Sequence, residues 1–127
     1  MNISKFLKIA IEESKKSNHR QRCAAVIFKR NKIISKGFNT TQKSIKHFKK
    51  KFQRWPGTIH AEVDAIIKAK TDLKRCSILV VRINRNGQLR LSKPCQYCQM
   101  YLDYIGIRKI YYTTNDATIQ ELNEKSI

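Results

Sequence analysis

Acidic residues are scarce in this chain. Nine Asp and Glu stand against 27 Lys and Arg in 127 residues, a formal charge of +18. Long apolar runs are missing too: no stretch approaches the roughly 18 uninterrupted apolar residues that a membrane span needs. Within Met1–Ser14, Lys5, Lys8, Glu12 and Glu13 interrupt every apolar run, which is not the pattern of a secretory signal, so no membrane partner and a cytoplasmic location are expected. Two prolines and four glycines are too few to build a linker. No repeat divides the chain either, and one domain over 1–127 is expected. The charge does not imply disorder, because 41% of the residues are hydrophobic and they fall into periodic blocks. A chain of this length buries roughly two-thirds of its unfolded surface, enough for a real core.

The basic excess is uneven. Residues 1–59 hold 16 basic and two acidic residues, and residues 60–127 hold 11 and seven. The densest segment runs from Lys43 to Arg54, with Lys43, Lys46, Lys49, Lys50, Lys51 and Arg54 and no acid. Such a segment attracts polyanions at the expense of self-repulsion. Nucleic acid, nucleotide phosphates, an acidic partner or simple solvation as a basic loop all fit it.

Helical spacing relates Ile3, Phe6, Leu7, Ala10 and Ile11. Ala24–Phe28 and Ile33–Ser35 flank Arg30-Asn31-Lys32 as a hairpin, after which Gly37 opens an irregular basic stretch closed by Trp55-Pro56-Gly57. His60–Lys70 reads as a helix with Thr58 as N-cap. Ser77–Ile83 is too apolar for an exposed strand and belongs in the middle of a sheet. Asn86-Gly87 marks a turn. A third helix is expected from about Ser92 and Pro94 to Gly106, then a strand at Lys109–Thr113. Thr118–Leu122 is either a last strand or a short helix. Alternating helices and strands in one domain predict an α/β fold, a sheet covered by helices.

Four cysteines occur: Cys23, Cys76, Cys95 and Cys98. Without an export pattern, reduced thiols are expected rather than disulfides. Cys23 and Cys76 fall in or beside strands and read as small buried hydrophobes. Cys95-x-x-Cys98 follows Pro94 at a helix start, and His60-Ala61-Glu62 opens another. Two thiolates and an imidazole suit Zn²⁺, and three protein ligands leave a fourth tetrahedral position for water. Helix N-termini favour thiolate over thiol. The competing readings are a structural zinc site with Cys23, Cys76 or His47 as fourth ligand, and a redox Cys-x-x-Cys pair. Tyr97, Tyr101 and Tyr104 recur near helical spacing and suit packing or subunit contact.

His-x-Glu followed by Pro-Cys-x-x-Cys is the signature of zinc-dependent nucleobase deaminases. With Gly37-Phe38-Asn39 after the second strand, the sequence resembles the cytidine and deoxycytidylate deaminase superfamily from about Phe6 to Thr113. The resemblance implies a three-layer α-β-α fold, a mixed five-stranded sheet flanked by helices. It implies zinc held by His60, Cys95 and Cys98, with Glu62 moving protons as base and then acid. It further implies Asn39 against the sugar and the backbone at Ala61 and Cys95 against the base. Trp55 is placed to stack on a base or to anchor a loop. The substrate expected is a cytosine nucleotide or nucleoside, dCMP favoured, in a homo-oligomer. The alternatives are a deaminase of single-stranded nucleic acid, using Lys43–Arg54, and a non-catalytic nucleic-acid-binding module that keeps the zinc site. A last strand antiparallel to Lys109–Thr113 would resemble the free-nucleoside branch. A helix and a parallel strand there are typical of the deoxycytidylate and polynucleotide branches.

Overall fold

The computed structural model describes residues 3–18, 21–40 and 60–122. Its elements are α1 (Ile3–Ser14), β1 (Arg22–Lys29), β2 (Lys32–Phe38), α2 (Ala61–Ala69), β3 (Ser77–Ile83), β4 (Leu89–Arg90), α3 (Gln96–Ile105), β5 (Lys109–Thr113) and β6 (Ile119–Glu121). No helix among the described residues is long and apolar enough to cross a membrane.

Five strands follow the order β2-β1-β3-β5-β6, and the two-residue β4 pairs with β3 off that path. β1 runs antiparallel to β2 and β3, β3 parallel to β5, and β5 antiparallel to β6. The mixed five-stranded sheet is therefore present, with β4 as an addition. β3 is central because it is buried on both faces. Its Ile78 and Val80 point to the layer holding Ala61, Ala65 and Leu102 of α2 and α3. Leu79, Val81 and Ile83 point to the other layer, where Phe6 and Ala10 of α1 pack. Phe6 stacks on Phe28 with ring centroids 4.3 Å apart.

Two boundaries differ from expectation. β2 continues through Gly37, which pairs with Ala25, instead of ending before it. A Cβ on Gly37 would collide with the Ala61 carbonyl oxygen, 2.9 Å away, and with the Ala65 backbone. Glycine is thus what lets α2 lie on β2. α3 begins at Gln96, not at Ser92 or Pro94. Ser92 stays extended because its hydroxyl donates to the Val80 carbonyl (2.6 Å) and accepts from the Thr113 amide (2.7 Å). At the tail, the strand is the one of the two expected forms that occurs: Thr118–Leu122 contains β6, antiparallel to β5. Leu122 further donates its amide to the Ile110 carbonyl at 2.7 Å.

Candidate metal centre

Two helix starts meet over the sheet. α2 is clamped to β2: Ser35 Oγ donates to the Ala65 carbonyl (2.7 Å), and the Phe38 amide donates to Asp64 Oδ2 (3.0 Å). Lys68 pairs with the same Asp64 oxygen at 2.7 Å. His60, and not Thr58 as expected, occupies the N-cap of α2 with extended backbone, and Cys95 occupies the N-cap of α3 in the same way. Cys98 follows in the first turn of α3. Residues from distant parts of the chain thereby converge: Cys98 Sγ lies 3.4 Å from His60 Nδ1.

The donor atoms of His60, Cys95 and Cys98 all lie within 4.8 Å of one another, so the group could hold a metal ion. One imidazole and two sulfurs are a donor set that zinc accepts, with a fourth position left over. Neither Cys23 nor Cys76 belongs to the group. Both are free thiols, and Cys76 is buried. The hydrogen bond with Cys98 pulls the Cys95 thiol down to about 4, helped by His60. Its partner moves the other way: Cys98 is raised by the same hydrogen bond and by burial. Holding a cation would require both sulfurs as thiolates, since a coordinating thiol is deprotonated outright.

Glu62 is 5% exposed. Burial raises its carboxyl above the usual range, against the opposing pull of His60. It shares a cleft of about 240 Å³ with His60, Ala61, Cys95, Cys23 and Asn39. The Asn39 amide is engaged on both sides: Oδ1 accepts from the Cys23 amide (2.8 Å), and Nδ2 donates to the Gln21 carbonyl (2.7 Å). This side chain ties the end of β2 to the start of β1 and builds the cleft wall. Burial, then Glu62, push the Cys23 thiol up to about 12, against the lowering effect of Arg82. Cys23 is a neutral wall residue.

Arg82, Lys93 and Leu91 also line the cleft, and sequence reasoning passed over all three. The signal for Arg82 was available: it continues the Ile78, Val80 alternation as a charge where an apolar residue is due. Trp55, Thr58, His47 and the Lys43–Arg54 segment lie outside the described residues.

Comparison with known proteins agrees with this geometry. The family model for the cytidine and deoxycytidylate deaminase zinc-binding region matches residues 1–114. A protein of Aliivibrio fischeri, described as an uncharacterized deaminase in the luxG 3′ region, is 35% identical over 98 residues, 68% of this chain and 54% of its own. This chain thus spans about half the length of that relative. In fold, the chain is similar to dCMP deaminase from the cyanophage S-TIM5, with a TM-score of 0.64 at 21% identity over 87% of this chain and 81% of the other. It is also similar to cytidine deaminase from Burkholderia pseudomallei, with a TM-score of 0.69 at 14% identity over 97% and 93%. From the match over residues 1–114, which encloses both helix starts and their donor atoms, the chain belongs to the cytidine and deoxycytidylate deaminase family.

Proposed function

We propose that the protein is a zinc-dependent hydrolase that converts cytosine to uracil in a free nucleotide or nucleoside, dCMP favoured. The observation that carries this reading is Glu62, a buried carboxyl in the same cleft as His60 and Cys95 and two residues beyond the first donor. His60, Cys95 and Cys98 would hold the ion. When bound, zinc supplies Lewis acidity, lowering the pKa of a water toward about 7.

The chain's own residues do the rest. Glu62 takes one proton from the attacking water and delivers it to ring N3. Glu62 then carries the second water proton to the departing amino group. The water oxygen becomes the new carbonyl at C4, the C4–N bond breaks, and ammonia leaves. A raised carboxyl suits a group that must be base first and acid afterwards, because its pKa lies nearer neutrality. Ala61 and Cys95 present their backbone to the base. Asn39 keeps one N–H and one lone pair for a sugar hydroxyl after its two backbone bonds. Trp55 serves as a stacking or anchoring residue beside them. The chain works as one domain, within a homo-oligomer.

The antiparallel β6, which the family resemblance attaches to the free-nucleoside branch, favours a small substrate over a strand and is not the tail of the deoxycytidylate branch. dCMP is favoured over the nucleoside because the basic excess suits a 5′-phosphate. The buried Glu62 weighs against a binding module without catalysis, since an idle buried carboxyl is costly. An ammonia-release assay with zinc-loaded protein over cytidine, deoxycytidine, CMP, dCMP, single-stranded DNA and RNA tests this. Release from free cytosine compounds alone is expected. Release from oligonucleotides alone, or from nothing, overturns it.

A further inference from the structure

We propose that Arg82, with Lys93 lining the same cleft, seats the 5′-phosphate of a free cytosine mononucleotide; this rests on the deaminase reading of the same cleft. Arg82 is half-buried and shares the α2–α3 face of the sheet with Ile78 and Val80. Its cross-strand partners are Cys23 on β1 and Arg90 on β4. Arg82 and Arg90 therefore stand directly opposite each other on one face. Like charges so placed repel and destabilise a sheet.

Nothing in the described structure neutralises them. The ion pairs among the described residues draw on Glu12, Glu13 and Asp64, and none includes Arg82, Arg90 or Lys93. Arg90 turns its guanidinium to the Leu89 carbonyl (3.4 Å) and Gln88 Oε1 (3.3 Å), so it adds charge rather than a contact. Arg82 and Lys93, unlike Arg90, line the cleft that holds Glu62. A partly desolvated guanidinium presents a fork that matches phosphate oxygens, and a lysine adds a point charge. One fork and one ammonium suit a single phosphate dianion, not a run of phosphodiesters. The turn that carries β4 is itself fixed: Asn84 Oδ1 accepts from the amides of Asn86 and Gln88, both at 2.9 Å. The backbone that places Arg90 opposite Arg82 is thus fixed by the turn itself.

The test measures binding as well as turnover. Titration calorimetry compares dUMP with deoxyuridine on zinc-loaded wild type, Arg82→Gln, Arg82→Lys and Lys93→Gln. Kinetics compare the kcat/KM ratio of dCMP to deoxycytidine, with inorganic phosphate as competitor. Arg82→Gln should lower both the affinity ratio and the kcat/KM ratio about tenfold or more, as expected for loss of a charged hydrogen bond. Arg82→Lys should recover part of the loss, and Lys93→Gln, at an exposed position, should lose less. Ratios within twofold of wild type in both Gln variants overturn the proposal, as does a loss confined to oligonucleotides. If Arg82→Gln does not fold, Lys93→Gln and phosphate competition in the wild type decide. If no cytosine compound is turned over, the deaminase reading fails, while dUMP against deoxyuridine binding still decides the phosphate seat.

Discussion

Sγ of Cys98 lies 3.4 Å from Nδ1 of His60, joining the starts of two helices that are 38 residues apart in sequence. That contact closes the layer over one face of the sheet. A cation held there crosslinks α2 to α3, which gives metal binding a share in stability. Stripping zinc with a chelator should lower the midpoint of thermal unfolding, and re-adding zinc should restore it. Calorimetry with and without chelator checks this. An unchanged midpoint would mean that the ion does not bridge the helices.

Glu62→Gln keeps size and shape but removes the proton-carrying oxygen. Ammonia release should fall on the order of 10²–10⁴-fold, the usual worth of a general acid–base group. Zinc content by elemental analysis should not change. Turnover within a few fold of wild type would remove Glu62 from the mechanism.

Gly37→Ala drives a methyl group into the backbone of Ala61 and Ala65. Overpacking of this kind costs about 1–3 kcal/mol. Because α2 carries His60, activity and zinc affinity should drop together with stability. Denaturant titration beside a zinc-binding assay checks the pairing. A variant as stable as wild type would show that β2 and α2 do not touch so closely.

Asn39→Ala removes the acceptor for the Cys23 amide and the donor to the Gln21 carbonyl. The Gln21 carbonyl is exposed and turns to water, so the loss falls mainly on the part-buried Cys23 amide, about 1 kcal/mol. KM should rise as well, since the cleft wall loses its tie between β1 and β2.

The Cys23 thiol, pushed up to about 12, stays protonated at ordinary pH. At pH 8 the thiolate fraction is on the order of 10⁻⁴, and the thiolate is the reactive form. Alkylation followed by mass spectrometry should leave Cys23 unmodified at pH 8, with the rate rising about tenfold per pH unit. The fold favours the protonated thiol, so this contribution to stability is whole below pH 9, the group's ordinary value, and is lost as pH climbs toward 12. Rapid labelling at pH 8 would refute the raised thiol.

Each half of the metal centre was legible in the sequence because its spacing is local, and the resemblance joined the two halves, which lie 38 positions apart. Cys95 and Cys98 stand three apart at a helix start, and His60 opens the helix that carries Glu62. β3 was legible because a short run rich in β-branched apolar residues suits a strand buried on both faces. The tail was not, since a three-residue strand takes its direction from the partner it meets. Leu89-Arg90 escaped notice for the same reason. The role proposed for Arg82 depends on which face of the sheet carries the site, a fact set by α2 and α3 covering one face and α1 the other. Asn39 was marked as a sugar contact, but its two bonds to the β1 backbone join residues 16 and 18 positions apart, which no local pattern encodes.

X-ray absorption at the zinc edge of the purified protein examines the ion and its donors in one step. A single zinc per chain is expected, with two sulfurs at about 2.3 Å and one imidazole nitrogen at about 2.0–2.1 Å. A shell without sulfur, a shell with three or four sulfurs, or no zinc at all would contradict the assignment of His60, Cys95 and Cys98.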